Sequence, residues 1–493
     1  MKHTRLIALF LSVMMAAGLL ASCGGDIGST ESPSGTDSMA TEDSPYDENG
    51  YLKDSLPDDL DFGGKIVNIY VRGDNLSTEF DAEQDGDIVN DAMFTRNQKI
   101  EERLNVDISY FTNISTNYYG DREIWMNTVR TSVMSNDGSI DIAAGVSSVY
   151  MAPLAMEGMF QNMMNNKYID FDAPWWPQSL REEMTVYNKL YLASGDASLG
   201  VIKSMNCFFF NKDMIADYKL EDPYELVESG KWTIDKLNEM ASAAVSDLNG
   251  NAAIDKDDQF GFIVQNENHS PNFVVSSGLR FSERDSEGAL SLLLGSEQHV
   301  DLIDRVGTMM AQDGFYFKSD SSNDYANTFT EGRALFATGE FGFAEQYREV
   351  EFDFGIIPFP TAAESSDPDY RTISRATFTL FGISQIADAD LCGAVLEAMG
   401  SESYRRVTPA YYEQALKVKY SRDDVSSQMF DLIKSGVVFD FAITYTDYIG
   451  KLTVEMRSFI NKGQTGWATK WASLGPKAEA LLEGVLESYA SIE

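Results

Sequence analysis

Three histidines and three cysteines in 493 residues leave little material for a zinc centre, a serine–histidine triad or a disulfide framework. Basic residues are also scarce, 38 against 77 acidic ones, for a net charge of -39. Such a field repels nucleic acid and anionic membranes and keeps a chain soluble, and taken over the whole chain it argues against an anionic ligand. Long apolar runs are missing after the first twenty residues, so no later segment reaches the roughly 18 apolar residues expected of a membrane span. Cys207 and Cys392 are the two cysteines beyond residue 23, and spacing alone leaves open a bridge between them or two buried thiols.

What is present begins with a secretory pattern. Lys2 and Arg5 form a basic start, Leu6 to Leu20 an apolar run, and Leu20-Ala-Ser-Cys23 matches the bacterial lipobox. The expectation is a signal peptide over 1–22 and lipidation of Cys23 by diacylglyceryl and palmitate-type acyl chains. That places the mature chain outside the cytoplasm, touching the membrane through its anchor alone. Residues 24–59 are rich in Ser, Thr, Gly, Asp, Glu and Pro, so 23–59 reads as a disordered tether.

About 430 residues remain, more than one hydrophobic core usually serves, which points to two lobes. Lys65–Val71 reads as a strand, 87–104 as a helix, and Val106–Phe111 as a second strand. Trp125, Val129 and Val133 mark a helix over 121–135, and 140–146 a buried third strand. Strands alternating with helices predict a mainly parallel sheet with ligands off the carboxyl ends of its strands, here residues 72–77 and 147–150.

Two later passages are more telling. Phe208-Phe-Phe-Asn-Lys-Asp-Met-Ile215 is followed by a Pro-containing loop and by Trp232-Thr-Ile-Asp235, with Thr233 placed to cap a helix. Phe329-Thr-Glu-Gly-Arg-Ala-Leu-Phe-Ala-Thr-Gly339 carries a turn, a short apolar strand and a change of direction. In this order they resemble the solute-binding proteins of ABC importers, family 1, the class that includes the maltose-binding protein. The resemblance implies an α/β, two-lobed, type II periplasmic-binding-protein-like fold with an interlobe cleft and several hinge crossings. It sets lobe 1 at 60–199 and 340–383, and lobe 2 at 200–339 and 384–493. It further implies no enzymatic activity, an ABC permease as partner, and import of a carbohydrate, an oligosaccharide. A surface glycoside hydrolase and a solute sensor or adhesin are the rival readings.

Aromatic side chains stack on sugar rings while charged and amide groups bind the hydroxyls. On that basis the expected ligand contacts are Tyr150, Trp175, Trp176, Phe341, Phe343, Tyr445 and Tyr448, with Arg72, Asp74, Asn266, Glu267 and Glu345. Pro174 and Pro177 bound the tryptophan pair and suggest a loop. Cationic solutes are the chief competitors, through cation–π contacts. Finally, Asp247, Asn249, Asn251, Asp255 and Asp258 follow the oxygen spacing of a structural Ca²⁺ loop. Ala252 stands where that loop wants glycine, and an acidic solvated turn is the alternative.

Overall fold

A computed structural model of the chain describes residues 44–492, apart from 74–75, 114–119, 286–287, 318–326 and 421–422. Residues 49–492 form one compact unit. The proposed signal peptide and Cys23 lie outside the described residues.

Nine strands build the two principal sheets: β1 (Lys65–Val71), β2 (Val106–Phe111), β3 (Ile142–Val146), β4 (Asn206–Asn211), β5 (Phe260–Val264), β6 (Phe315–Phe317), β7 (Ala334–Glu340), β8 (Phe354–Ile357) and β9 (Thr379–Ile383). The first sheet runs β9-β3-β1-β2, with β1 parallel to both neighbours and β9 antiparallel to β3. The second runs β8-β4-β7-β5-β6; β4 is antiparallel to β8 and β7, whereas β5 is parallel to β7 and β6. Each sheet is the floor of one lobe. Most of their strands are apolar and buried on both faces, as sheets covered by helices require, with the edge strand β2 and the start of β1 partly exposed.

Local chemistry accounts for the boundaries of these elements. Asp87 accepts from the Val89 amide at 2.9 Å and starts the helix Ile88–Leu104, which Asn105 ends in the left-handed region. Asn211 likewise caps the helix Lys212–Tyr218 through the Met214 amide, and Thr233 caps Ile234–Ala243 through the Lys236 amide at 3.2 Å. Cys207 and Cys392 are free, buried thiols.

Three expectations are revised. The tether is shorter than 23–59, because Leu56 packs into the core and the Asp54 carboxylate is wholly buried, 2.8 Å from Arg103. Residues 340–383 do not all belong to the first lobe. β8 pairs with β4 in the second sheet, and only β9 rejoins the first. The Gly-rich phrase before Phe341 therefore keeps the chain in the second lobe; its turn instead docks on the crossing, with the Phe341 and Gly342 amides donating to Met205 and Lys203 carbonyls at 3.1 and 2.9 Å. The tail after 384 is also divided. Helix Ala389–Glu402 packs on Ile88–Leu104 of the first lobe, whereas helix Asp424–Ser435 covers β8 of the second.

The chain thus crosses from the first lobe to the second between Ala193, which bridges Phe381, and β4. It returns between the Thr372–Ile373 strand and β9, and after these two crossings passes to the second lobe again between the helices Ala389–Glu402 and Asp424–Ser435. Among the described residues no helix is long and apolar enough to cross a membrane.

Candidate functional site

A cleft of about 990 Å³ opens where these crossings meet the two sheets. The first lobe contributes Arg72 at the carboxyl end of β1, Glu79 from the turn Leu76–Phe80, Arg122 and Val149. The second contributes Asn266, Glu267 and Asn268 after β5, Glu340 ending β7, and Phe343 and Glu345 on the short helix that follows. Both crossings line it, through Lys203 and Arg375, and the late segment adds Asp447, Tyr448, Lys451 and Arg457. The location agrees with the rule that open α/β sheets bind ligand beyond the carboxyl ends of their strands.

Glu79 is a buried acid of the cleft floor. Its carboxylate accepts from the Ser198 and Thr379 hydroxyls at 2.8 and 3.1 Å, and burial pushes its pKa up against the opposing charges of Arg72 and Lys203. The buried Arg96 fixes the turn that carries it, donating to the Glu79 and Phe80 carbonyls at 3.3 and 3.0 Å. The crossing can pass over Glu79 because residue 200 is glycine; a Cβ there would lie 2.6 Å from Glu79 Oε1.

Glu340 is held from two sides. His269 Nε2 and Arg375 Nε each lie 3.1 Å from its Oε1. The donor pattern around His269 assigns its tautomer. The Glu340 carboxylate can only accept, so Nε2–H donates to it, and in a neutral ring Nδ1 then accepts from the Thr338 hydroxyl 2.8 Å away, whose oxygen also accepts from the Gln265 amide at 3.0 Å. Burial lowers the His269 pKa, in keeping with a neutral ring, although Glu340 pulls the other way. Arg457 Nη2 lies 2.6 Å from Glu267 Oε1 and also bonds Asn268; Lys203 Nζ lies 3.2 Å from Glu345 Oε1. The cleft is therefore a set of fixed charged forks with two aromatic faces, Phe343 and Tyr448, at its edge.

Of the residues expected to touch ligand, Arg72, Asn266, Glu267, Phe343, Glu345 and Tyr448 line this cleft. Asp74 lies outside the described residues. The others are core. Tyr150 stands edge-on to Trp125 at 5.2 Å, and Phe341 edge-on to Phe430 at 4.9 Å. Tyr445 stacks on Phe441 at 4.2 Å and bonds Tyr489. Trp175 and Trp176 are 1% and 2% exposed, and the Trp176 indole donates to the buried Glu397 at 2.9 Å. Two flanking prolines do mark a loop there, but the loop folds inward and the rings fill the first lobe. Sequence reading missed Glu79, Arg122, Lys203, Glu340, Arg375, Lys451 and Arg457, which share no motif.

The loop 247–258 adopts the turn that its oxygen spacing implies. Ala252 has φ +64°, the left-handed position that favours glycine. Its oxygens are used internally: Asp247 accepts from the Gly250 and Ala252 amides, and the buried Asp258 from the Leu248, Asn249 and Asp255 amides. Asp255 accepts from the side-chain amides of Asn249 and Asn251. Among the described residues no group of three or more His, Cys, Asp or Glu side chains converges as a metal site.

The family model of the bacterial extracellular solute-binding proteins matches residues 101–402, more than half of the chain. The chain belongs to that family. No curated protein sequence matches it. Among solved structures, this solute-binding protein is similar in fold to M. tuberculosis UspC, at 14% identity and TM-score 0.54 over 84% of this chain and 100% of that one. The cyclic alpha-maltosyl-1,6-maltose binding protein from Arthrobacter globiformis gives 13% and 0.54 over 87% and 99%. The GacH receptor of Streptomyces glaucescens, solved unliganded and in complex with acarbose, gives 13% and 0.53 over 86% and 99%. The two-lobed fold is thus shared with these solved structures, and what remains particular to this solute-binding protein is its cleft lining.

Proposed function

We propose that this protein captures a saccharide between its lobes and offers it to the permease of an ABC importer. In this reading Cys23 holds it to the outer face of the membrane. The observation that carries the proposal is the cleft itself, about 990 Å³ and lined from both lobes and both crossings, so that a solute bound there touches parts that move relative to one another when lobes hinge. Its lining suits a polyol. Fixed carboxylate–guanidinium and carboxylate–ammonium pairs present acceptors and donors side by side, as vicinal hydroxyls require, and Phe343 and Tyr448 offer faces for C–H stacking.

Binding without turnover is part of this reading, and the engagement of Glu267, Glu340 and Glu345 each by a cation supports it. A thermal-shift screen against saccharides tests the proposal. A ligand at about 100 times its dissociation constant adds roughly 2.7 kcal/mol of stability, and the saccharide recovered afterwards should be unchanged. A panel that shifts nothing, or a saccharide recovered hydrolysed, contradicts it.

A further inference from the structure

The saccharide reading leaves the charge of the ligand undecided, and the cleft speaks to it. In a chain with twice as many acids as bases, the lining reverses the balance: Arg72, Arg122, Lys203, Arg375, Lys451 and Arg457 stand against Glu79, Glu267, Glu340, Glu345 and Asp447. The acids are largely committed. Glu267 meets Arg457, Glu345 meets Lys203, Glu340 is shared by Arg375 and His269, and Glu79 is sunk beneath Gly200 on two hydroxyls. Asp447 aside, a cationic solute would have to break these pairs to find a carboxylate.

Two of the cations occupy places that electrostatics disfavours. Arg122 is the first residue of the 14-residue helix Arg122–Ser135, and Lys451 is the N-cap of the 10-residue helix Leu452–Asn461. A helix N-terminus carries partial positive charge and favours acidic side chains, so a cation there adds like to like. Neither helix has a side-chain cap bond; Glu455 is drawn off to Lys470, whereas Glu123 is shared between Arg122 and Arg130. Glu123 lies 3.5 Å from Arg130 and 3.6 Å from Arg122, while Glu455 lies 2.8 Å from Lys470. Arg122 comes from the first lobe and Lys451 from the segment facing it, and both line the same cleft.

We infer that the solute is an acidic saccharide, one bearing a carboxylate or sulfate substituent, with Arg122 and Lys451 as the residues that recognise its charge. This rests on the saccharide reading above and narrows it. The net charge of -39 does not stand in the way, because it describes the whole chain and salt screens it beyond about 8 Å, whereas charges lining a cleft act at contact.

The test is a calorimetric comparison of trigalacturonate and a sulfated disaccharide with maltotriose and xylotriose, at low and physiological ionic strength. An acidic probe should bind and weaken as salt rises. Arg122→Gln and Lys451→Gln should each reduce its affinity roughly three- to fivefold, the scale of one exposed charge pair, while Arg122→Lys retains most of it. Both side chains are at least partly exposed and each sits at a helix N-terminus, so melting temperatures without ligand should equal or slightly exceed wild type. Neutral trisaccharides binding as tightly as the acidic probes, with no effect of salt, would overturn the inference and leave the saccharide reading standing. Binding by none of the four would overturn both.

Discussion

His269 and Glu340 meet through a 3.1 Å hydrogen bond at the edge of the cleft, the histidine buried and the carboxylate shared with Arg375. Burial lowers the histidine pKa, so a proton binds the unfolded chain more readily than the folded one. The stability that follows is present above the ordinary histidine range and is lost as pH falls through about 6.5 toward the lower folded value. Thermal unfolding of wild type and His269→Gln across pH 8 to 5 checks this. Wild type should lead by more at pH 8 than at pH 5; a gap independent of pH would contradict the assigned neutral ring.

Glu397 behaves in the opposite sense. It lies fully buried beneath Trp176, and burial raises its pKa to about 7 despite the indole hydrogen bond. Because the folded state holds this proton more tightly, its contribution favours folding at low pH and is lost as pH rises through about 7. Glu397→Gln should match wild type near pH 4 and exceed it by up to about 3 kcal/mol above pH 8. Denaturant melts at the two pH values measure the difference.

The N-terminal edge of the folded body rests on Asp54. Burial alone would raise its pKa, but Arg103, at 2.8 Å, together with Ser401 and Arg405 holds it below the usual carboxylate value. Asp54→Ala leaves Arg103 and Arg405 without that carboxylate and should cost about 3 kcal/mol. A chain beginning at residue 60, which also loses Leu56 from the core, should be less stable still. Since the folded pKa is depressed, the loss should be greatest at neutral pH and shrink as pH falls below about 4.

In the acidic loop, Ala252 holds φ +64° at a cost of roughly 1 kcal/mol relative to glycine. Ala252→Gly should raise stability by up to about 0.5 kcal/mol, after the added freedom of the unfolded chain is subtracted. A destabilised variant would show that the turn is not strained.

Elements set by local chemistry were legible in the sequence. The cap Thr233, the helix opening near Asp87 and the strands β1 to β3 lie where periodicity and capping chemistry put them. What resisted was set by long-range pairing. Nothing near Phe354 says that β8 will join β4 rather than the first sheet, since both edges accept a short apolar strand. The aromatic expectation failed for a related reason. Trp176 and Tyr445 have polar atoms that a sugar could use, but Glu397 and Tyr489 supply buried partners hundreds or tens of positions away. The cleft cations were hidden because Arg122, Lys203, Arg375 and Lys451 converge only after the lobes are assembled.

The central claim is that solute binds in the interlobe cleft, and calorimetry on paired variants tests it most directly. The saccharide giving the largest melting shift would be titrated into wild type, Tyr448→Ala, Glu340→Gln and the core control Trp176→Phe. The cleft variants should lose about 1 to 3 kcal/mol of affinity while the control keeps wild-type affinity. Wild-type affinity in both cleft variants, with loss confined to Trp176→Phe, would contradict the account and move the site to the tryptophan loop.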